Sequence, residues 1–151
     1  MKSFKHVGIC LVIGMLGSLA YLSSQICIVK NISESLPFSY FLALPIKEVK
    51  KGIYVLFEHP KEPILVAKRL VGLPGDEIKI ENATLYINEL YCGDIQKQFS
   101  SKADLQPISE GKINENYVFV LGLHPLSFDS RYAEFGLIPI SHLRKQLWPL
   151  F

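Results

Sequence analysis

The most reactive candidate in this sequence is a lysine in apolar surroundings. Lys68 sits within Ile64-Leu-Val-Ala-Lys68-Arg69-Leu-Val71, a run whose neighbours belong in a core. Burial disfavours the charged ammonium and lowers a lysine pKa, by up to several units. A neutral lysine is a general base and can activate a serine hydroxyl without a histidine. The alternative is that Lys68 and Arg69 lie at the edge or on the solvent face of a strand. Adjacent strand residues point to opposite faces, so one of the two faces inward.

Two further segments carry hydroxyls and charges. Ser127-Phe128-Asp129-Ser130-Arg131-Tyr132 holds an Asp-x-Arg pair that shares one face of an extended chain. These side chains can pair with each other or with Arg69; on a surface such a pair is worth under about 1 kcal/mol. Asn31-Ile32-Ser33-Glu34-Ser35-Leu36-Pro37 offers two serines in what would otherwise read as a polar turn. Asn31-Ile32-Ser33 and Asn82-Ala83-Thr84 also match glycosylation sequons, which matter only in a eukaryotic secretory setting. The four histidines are scattered without metal-ligand spacing, so no metal and no cofactor is expected. His59 and His124 each precede a proline and point to turns. Cys10, Cys27 and Cys92 read as small apolar side chains rather than disulfide partners.

The elements that must position these groups read as β-rich. Gly52–Phe57 and Tyr117–Leu121 are β-branched and aromatic runs, and Ile64–Val71 is a third apolar run. Leu73-Pro74-Gly75-Asp76 is a turn, with proline presetting φ and glycine permitting φ > 0. Glu77–Ile80 and Thr84–Ile87 alternate around Glu81-Asn82-Ala83 as a hairpin. Residues 93–112 look like a polar surface excursion. The tail from Ser141 suggests a short helix with Ser141 as its N-cap.

Ahead of this domain, Val7–Val29 gives 23 residues without a charge. About 20 such residues cross a hydrocarbon core of about 30 Å. Lys2 and Lys5 precede the run, so the N-terminus is expected on the cytoplasmic side and the rest beyond the membrane. A cleaved signal peptide ending at Ser18-Leu19-Ala20 is the competing reading, and either one exports the remainder. The expected division is a membrane anchor over residues 1–30 and an exported domain over 31–151. The 151-residue chain is 49% hydrophobic and 20% charged, which disfavours a disordered chain. Residues 1–30 carry three lysines and no acid, whereas 31–151 carry 13 basic and 14 acidic residues. No basic block remains to suggest nucleic acid.

In order along the chain, these pieces resemble type I signal peptidases, the membrane-bound serine–lysine proteases. They resemble in particular the small conjugative-transfer (TraF-like) branch. The resemblance rests on the anchor, Ser35-Leu-Pro37, Ala67-Lys-Arg-Leu-Val-Gly-Leu-Pro-Gly-Asp76 and Ser127-Phe-Asp-Ser-Arg-Tyr132. It implies a mainly antiparallel β domain, the complex β fold of that family, behind one transmembrane helix. It implies Ser35 as nucleophile and Lys68 as general base. Ser33 and the Ser35 backbone N–H would hold the oxyanion, and Ser127 would orient the lysine. Arg69, Asp129 and Arg131 would form an ion-pair network bracing the lysine strand. Phe38 and Tyr40 would help line shallow apolar pockets for the substrate.

The departures from the family pattern carry information. Leu121-Gly-Leu-His-Pro-Leu126 replaces the Gly-Asp-Asn usual in general signal peptidases, which agrees with the conjugative branch. Only 58 residues separate Lys68 from Ser127, leaving no room there for a large second domain. Against that branch, Ser39 stands where a glycine is usual, and Ala133-Glu134 lengthen the stretch between Tyr132 and Phe135-Gly136. The implied function is an anchored endopeptidase on the extracytoplasmic face of a bacterial inner membrane. Its expected partners are the lipid bilayer, an exported precursor such as a pilin-like subunit, and components of a conjugation or type IV secretion apparatus. A general signal peptidase and a catalytically silent scaffold are the alternatives.

Overall fold

The computed structural model describes residues 25–96 and 105–151. Among the described residues eleven strands run in chain order: β1 Cys27–Lys30, β2 Tyr40–Leu44, β3 Tyr54–Glu58, β4 Leu65–Gly72, β5 Glu77–Glu81, β6 Thr84–Ile87, β7 Leu90–Asp94, β8 Gly111–Lys112, β9 Tyr117–Leu121, β10 Ile138–Pro139 and β11 Leu143–Pro149. They form a seven-stranded sheet, ordered β1-β2-β11-β3-β4-β9-β10, and a four-stranded sheet, ordered β7-β6-β5-β8. Every pairing is antiparallel.

Period-2 alternation decides what each strand buries. On β9, Val118 and Val120 enter the core of the larger sheet beside Val55, Phe57, Leu70 and Ile138. Phe119 and Leu121, on the opposite face, join Ile78, Leu85, Ile87 and Ile113 under the smaller sheet. Strand β9 therefore lies between the two cores and ties them together. Strand β4 does the same after a bulge between Leu70 and Gly72. A Cβ on Gly72 would lie 2.6 Å from Ile113 and 2.8 Å from Phe119, so only glycine lets the strand pass here. The turn that follows carries the chain into β5. Gly75 has φ of +86°, and Asp76 Oδ2 accepts from the Leu73 N–H at 2.7 Å.

The hairpin of β5 and β6 turns on Asn82 and Ala83, both at positive φ. Three expectations need correction. The tail forms strand β11 in the interior of the larger sheet, preceded by a single 3-10 turn at Ile140–His142. Apolar Leu143 and Leu147 pack inward, and partners on both edges outweigh the helical signature. Strand β2, unassigned from sequence, is the other neighbour of β11. Residues 93–112 are not wholly a surface excursion: Ile95 and Ile108 are buried and anchor both described ends. Finally, Cys27–Val29, the end of the uncharged run, belong to edge strand β1 rather than to a helix. Among the described residues no helix is long and apolar enough to cross a membrane, and the rest of the proposed anchor lies outside them.

Candidate active site

Strand β4 settles which of its two cations faces inward. Val66, Lys68 and Leu70 share one face, and Lys68 is only 4% exposed. Arg69, on the other face, is exposed. The β4–β9 register pairs Arg69 with Leu121, and one further step brings Gly122 opposite Lys68. The lysine amine thus meets the start of the loop that carries Ser127.

Lys68 Nζ donates to Ser127 Oγ at 2.7 Å, with both side chains buried. Burial pushes the Lys68 pKa down to about 8, helped by the positive charge of Arg131 and opposed by Asp129. The desolvation cost outweighs the attraction of a carboxylate that is already committed to its own arginine.

Gly122 explains how the nucleophile candidate reaches this pair. A Cβ at that position would lie 1.9 Å from Ser127 Oγ and 3.1 Å from the Ser35 Cβ. Ser35 and Ser127 therefore close over the one residue that has no side chain. The Ser35 carbonyl is held by the Leu123 N–H at 2.7 Å and the His124 N–H at 3.3 Å. Leu36 next to it is buried with Phe41, Ala43, Leu56 and Leu147, which anchors the segment to the sheet. Ser35 Oγ and Ser33 Oγ lie 2.7 Å apart.

A buried ion pair braces the loop. Arg131 Nε and Nη2 donate to Asp129 Oδ1 and Oδ2 at 2.9 and 3.0 Å, a bidentate fork. Burial works against the arginine's charge, but the hydrogen bonds and charge of Asp129 outweigh it and raise its pKa. Asp129 Oδ2 also accepts from the Gly122 N–H at 2.9 Å, and Arg131 Nη2 donates to the Ser127 carbonyl at 3.1 Å. One pair thereby fixes both the serine that accepts from Lys68 and the glycine beneath it. Arg69 does not join it: among the described residues no ion pair links Arg69 to Asp129, because β4 turns that side chain to the opposite face.

A cleft of about 410 Å³ opens over the site. Its walls include Ser33, Ser35, Lys68 and Ser127, with Ile64, Val66, Leu126, Phe128 and Phe135 as the apolar surface. Phe38 and Tyr40 are not on it. Phe38 packs edge-on against Phe41 and Tyr54, and Tyr40 against Phe151. The apolar wall was legible in part, since Ile64, Val66 and Lys68 recur at period two. Phe128 and Phe135 were not, because they meet only through the fold. Gly122, too, was passed over in the sequence.

His59 and His124 also reach the cleft, but their Nδ1 atoms accept from the Lys61 and Leu126 N–H groups at 3.3 and 3.1 Å. Both rings close turns ahead of or beside prolines. Among the described residues no three His, Cys, Asp or Glu side chains are grouped to hold a metal.

The arrangement combines a hydroxyl, a buried amine whose pKa is lowered to about 8, and an apolar cleft. Residues 1–146 match the family model described as signal peptidase, peptidase S26. Signal peptidase I of Bacillus licheniformis is 32% identical over 112 residues, covering 67% of this chain and 58% of that protein. Signal peptidase I T of Bacillus subtilis (strain 168) is 34% identical over 104 residues, covering 62% and 52%. The chain thus spans little more than half the length of these curated relatives. A solved signal peptidase I from Enterococcus faecalis V583 is 27% identical, covering 68% of this chain and 99% of its own, with a TM-score of 0.47.

Proposed function

The chain belongs to the signal peptidase family, and from that premise we propose that it is a membrane-anchored endopeptidase that cleaves an exported precursor through a Ser35–Lys68 dyad. The observation that carries this reading is the packing of Ser35 and Ser127 over Gly122, with Ser127 accepting from a buried Lys68 whose pKa is lowered to about 8. Neutral Lys68 takes the Ser35 proton as Oγ attacks the scissile carbonyl. The Ser35 N–H and the Ser33 hydroxyl hold the developing oxyanion. Lys68 then returns its proton to the leaving amine, and water hydrolyses the acyl-enzyme. The apolar walls of the cleft suit small apolar side chains ahead of the cut.

The reading places the domain on the extracytoplasmic face of a bacterial inner membrane, held by the uncharged N-terminal run. An apolar row supports contact with the lipid bilayer. Ile28, Leu42 and Trp148 lie side by side across β1, β2 and β11, and Ile28 and Trp148 are exposed. Confinement at the bilayer raises the effective concentration of a precursor whose own apolar segment lies there.

The substrate is proposed to be a pilin-like subunit of a conjugation or secretion apparatus. The Leu121–Leu126 stretch and the short Lys68–Ser127 separation favour it. The names of the Bacillus relatives favour a second reading, a general signal peptidase for many secretory precursors. Co-expression with a pilin precursor tests the first: wild type cleaves, whereas Ser35→Ala and Lys68→Met do not. Full processing by either variant overturns the dyad. Rescue of a strain depleted of its own signal peptidase decides for the second reading.

A further inference from the structure

We propose that Asn31 is a positioning residue of the nucleophile loop, its side-chain amide setting the direction of the Ser33 hydroxyl proton. The proposal rests on the serine–lysine reading above. Asn31 is half-buried, four residues ahead of Ser35, and every hydrogen-bonding position of its amide is used inside its own loop. Nδ2 donates to the Leu36 carbonyl at 3.1 Å and to the Phe38 carbonyl at 2.9 Å. Oδ1 accepts from the Ser33 N–H at 3.1 Å and from the Ser33 hydroxyl at 3.2 Å. The backbone adds a fifth tie, from the Asn31 N–H to the Ser39 carbonyl at 2.8 Å. The amide cannot be turned over, because its oxygen would then face two carbonyls.

This clamp spans the nucleophile on both sides. It holds Ser33 by the acceptor end and the residues after Ser35 by the donor end. It also fixes a proton. A serine hydroxyl has one hydrogen, and a carboxamide oxygen only accepts. With Ser33 giving its proton to Asn31 at 3.2 Å, the donor in the 2.7 Å contact, where either hydroxyl could serve, becomes Ser35. The resting loop keeps the nucleophile's proton turned away from Lys68.

Attack reverses both bonds. Ser35 turns its proton to Lys68 Nζ, and Ser33, released from accepting, swings its proton from Asn31 Oδ1 to the oxyanion. The bond given up is a neutral one at 3.2 Å, so the exchange costs little. Asn31 thus holds the oxyanion donor in place before the reaction and lets it go during it.

Asn31→Asp keeps the shape and the acceptor but removes both donors. It is expected to lower kcat by about a hundredfold with KM within about twofold. The deficit relative to wild type should shrink as pH falls through the titration of the new carboxyl, because the protonated acid regains one donor. Asn31→Ala should show a similar deficit without that pH dependence, and a smaller one in a Ser33→Ala background. A change confined to KM, a pH-independent ratio for Asn31→Asp, or strictly additive losses with Ser33→Ala would overturn the proposal. Amide hydrogen exchange separates it from the functional reading. Faster exchange of the Ser33 N–H in Asn31→Ala, at unchanged Tm, supports the clamp even if wild type cleaves nothing, a result that would sink the peptidase reading alone. Unchanged exchange refutes the clamp whatever the enzyme does.

Discussion

The two sheets bury different chemistry. Under the four-stranded sheet, the residues supplied by β5, β6 and β7 are Ile78, Leu85, Ile87 and Cys92, and their charged neighbours point to solvent. Beside β4 and in the loop after β9 the protein buries Lys68, Asp129, Arg131 and three serines, Ser35, Ser127 and Ser130, with Arg131 also reaching across to the Asp94 carbonyl at the end of β7 at 3.1 Å. The first arrangement is what folding alone favours. The second costs stability, since burial strips the Lys68 ammonium of the hydration that favours it. Polar burial concentrated at one place marks where the fold serves a reaction rather than itself.

Lys68→Met should break this contrast most sharply. Activity is expected to fall about a thousandfold or more. Stability should rise by about 1–3 kcal/mol in denaturant titration near pH 7, because a pKa lowered from 10.5 to about 8 is a stability cost of order 3 kcal/mol. The unfolded state binds the proton more tightly, so wild-type stability should climb as pH rises from about 8 to the unfolded lysine pKa and level off above it. A destabilised Lys68→Met protein would contradict this.

Asp129→Asn comes next. It leaves the Arg131 charge without its buried partner and weakens the hold on the Gly122 N–H. A loss of about 3 kcal/mol is expected, together with a lower kcat. Leu85→Ala sharpens the comparison from the other side. It should cost about 2–5 kcal/mol through the cavity it leaves, with kcat and KM per folded molecule unchanged. Arg69→Ala should have the smallest effect, with kcat/KM within about twofold of wild type. A large loss there would restore Arg69 to the ion-pair network from which the geometry removes it.

Much of this was legible in the residues. Strand alternation points one of the adjacent cations Lys68 and Arg69 inward, and the structure shows that it is Lys68. The Leu73–Asp76 turn and the β5–β6 hairpin followed from proline, glycine and alternation. Strand β11 was not legible, since Ser141-His-Leu-Arg carries helical start signals and only pairing on both edges overrides them. Phe38 and Tyr40 are expected at the cleft from the family's shallow apolar pockets, but their rings turn into the aromatic cluster with Phe41 and Tyr54 and against Phe151. Gly122 is invisible to any pattern of side chains, because its role is to lack one. Asn31 looked like a glycosylation site, and its actual bonds depend on a loop closing back on itself.

The account turns on a lysine that is neutral when serine attacks. The most direct measurement is the pH dependence of Ser35 acylation in single-turnover cleavage of a precursor peptide. The rate should rise with pH through a single titration centred near about 8, the Lys68 value, with only about a tenth of the molecules competent at pH 7. A flat rate between about pH 6 and 9, or the same profile in Lys68→Met, would contradict it.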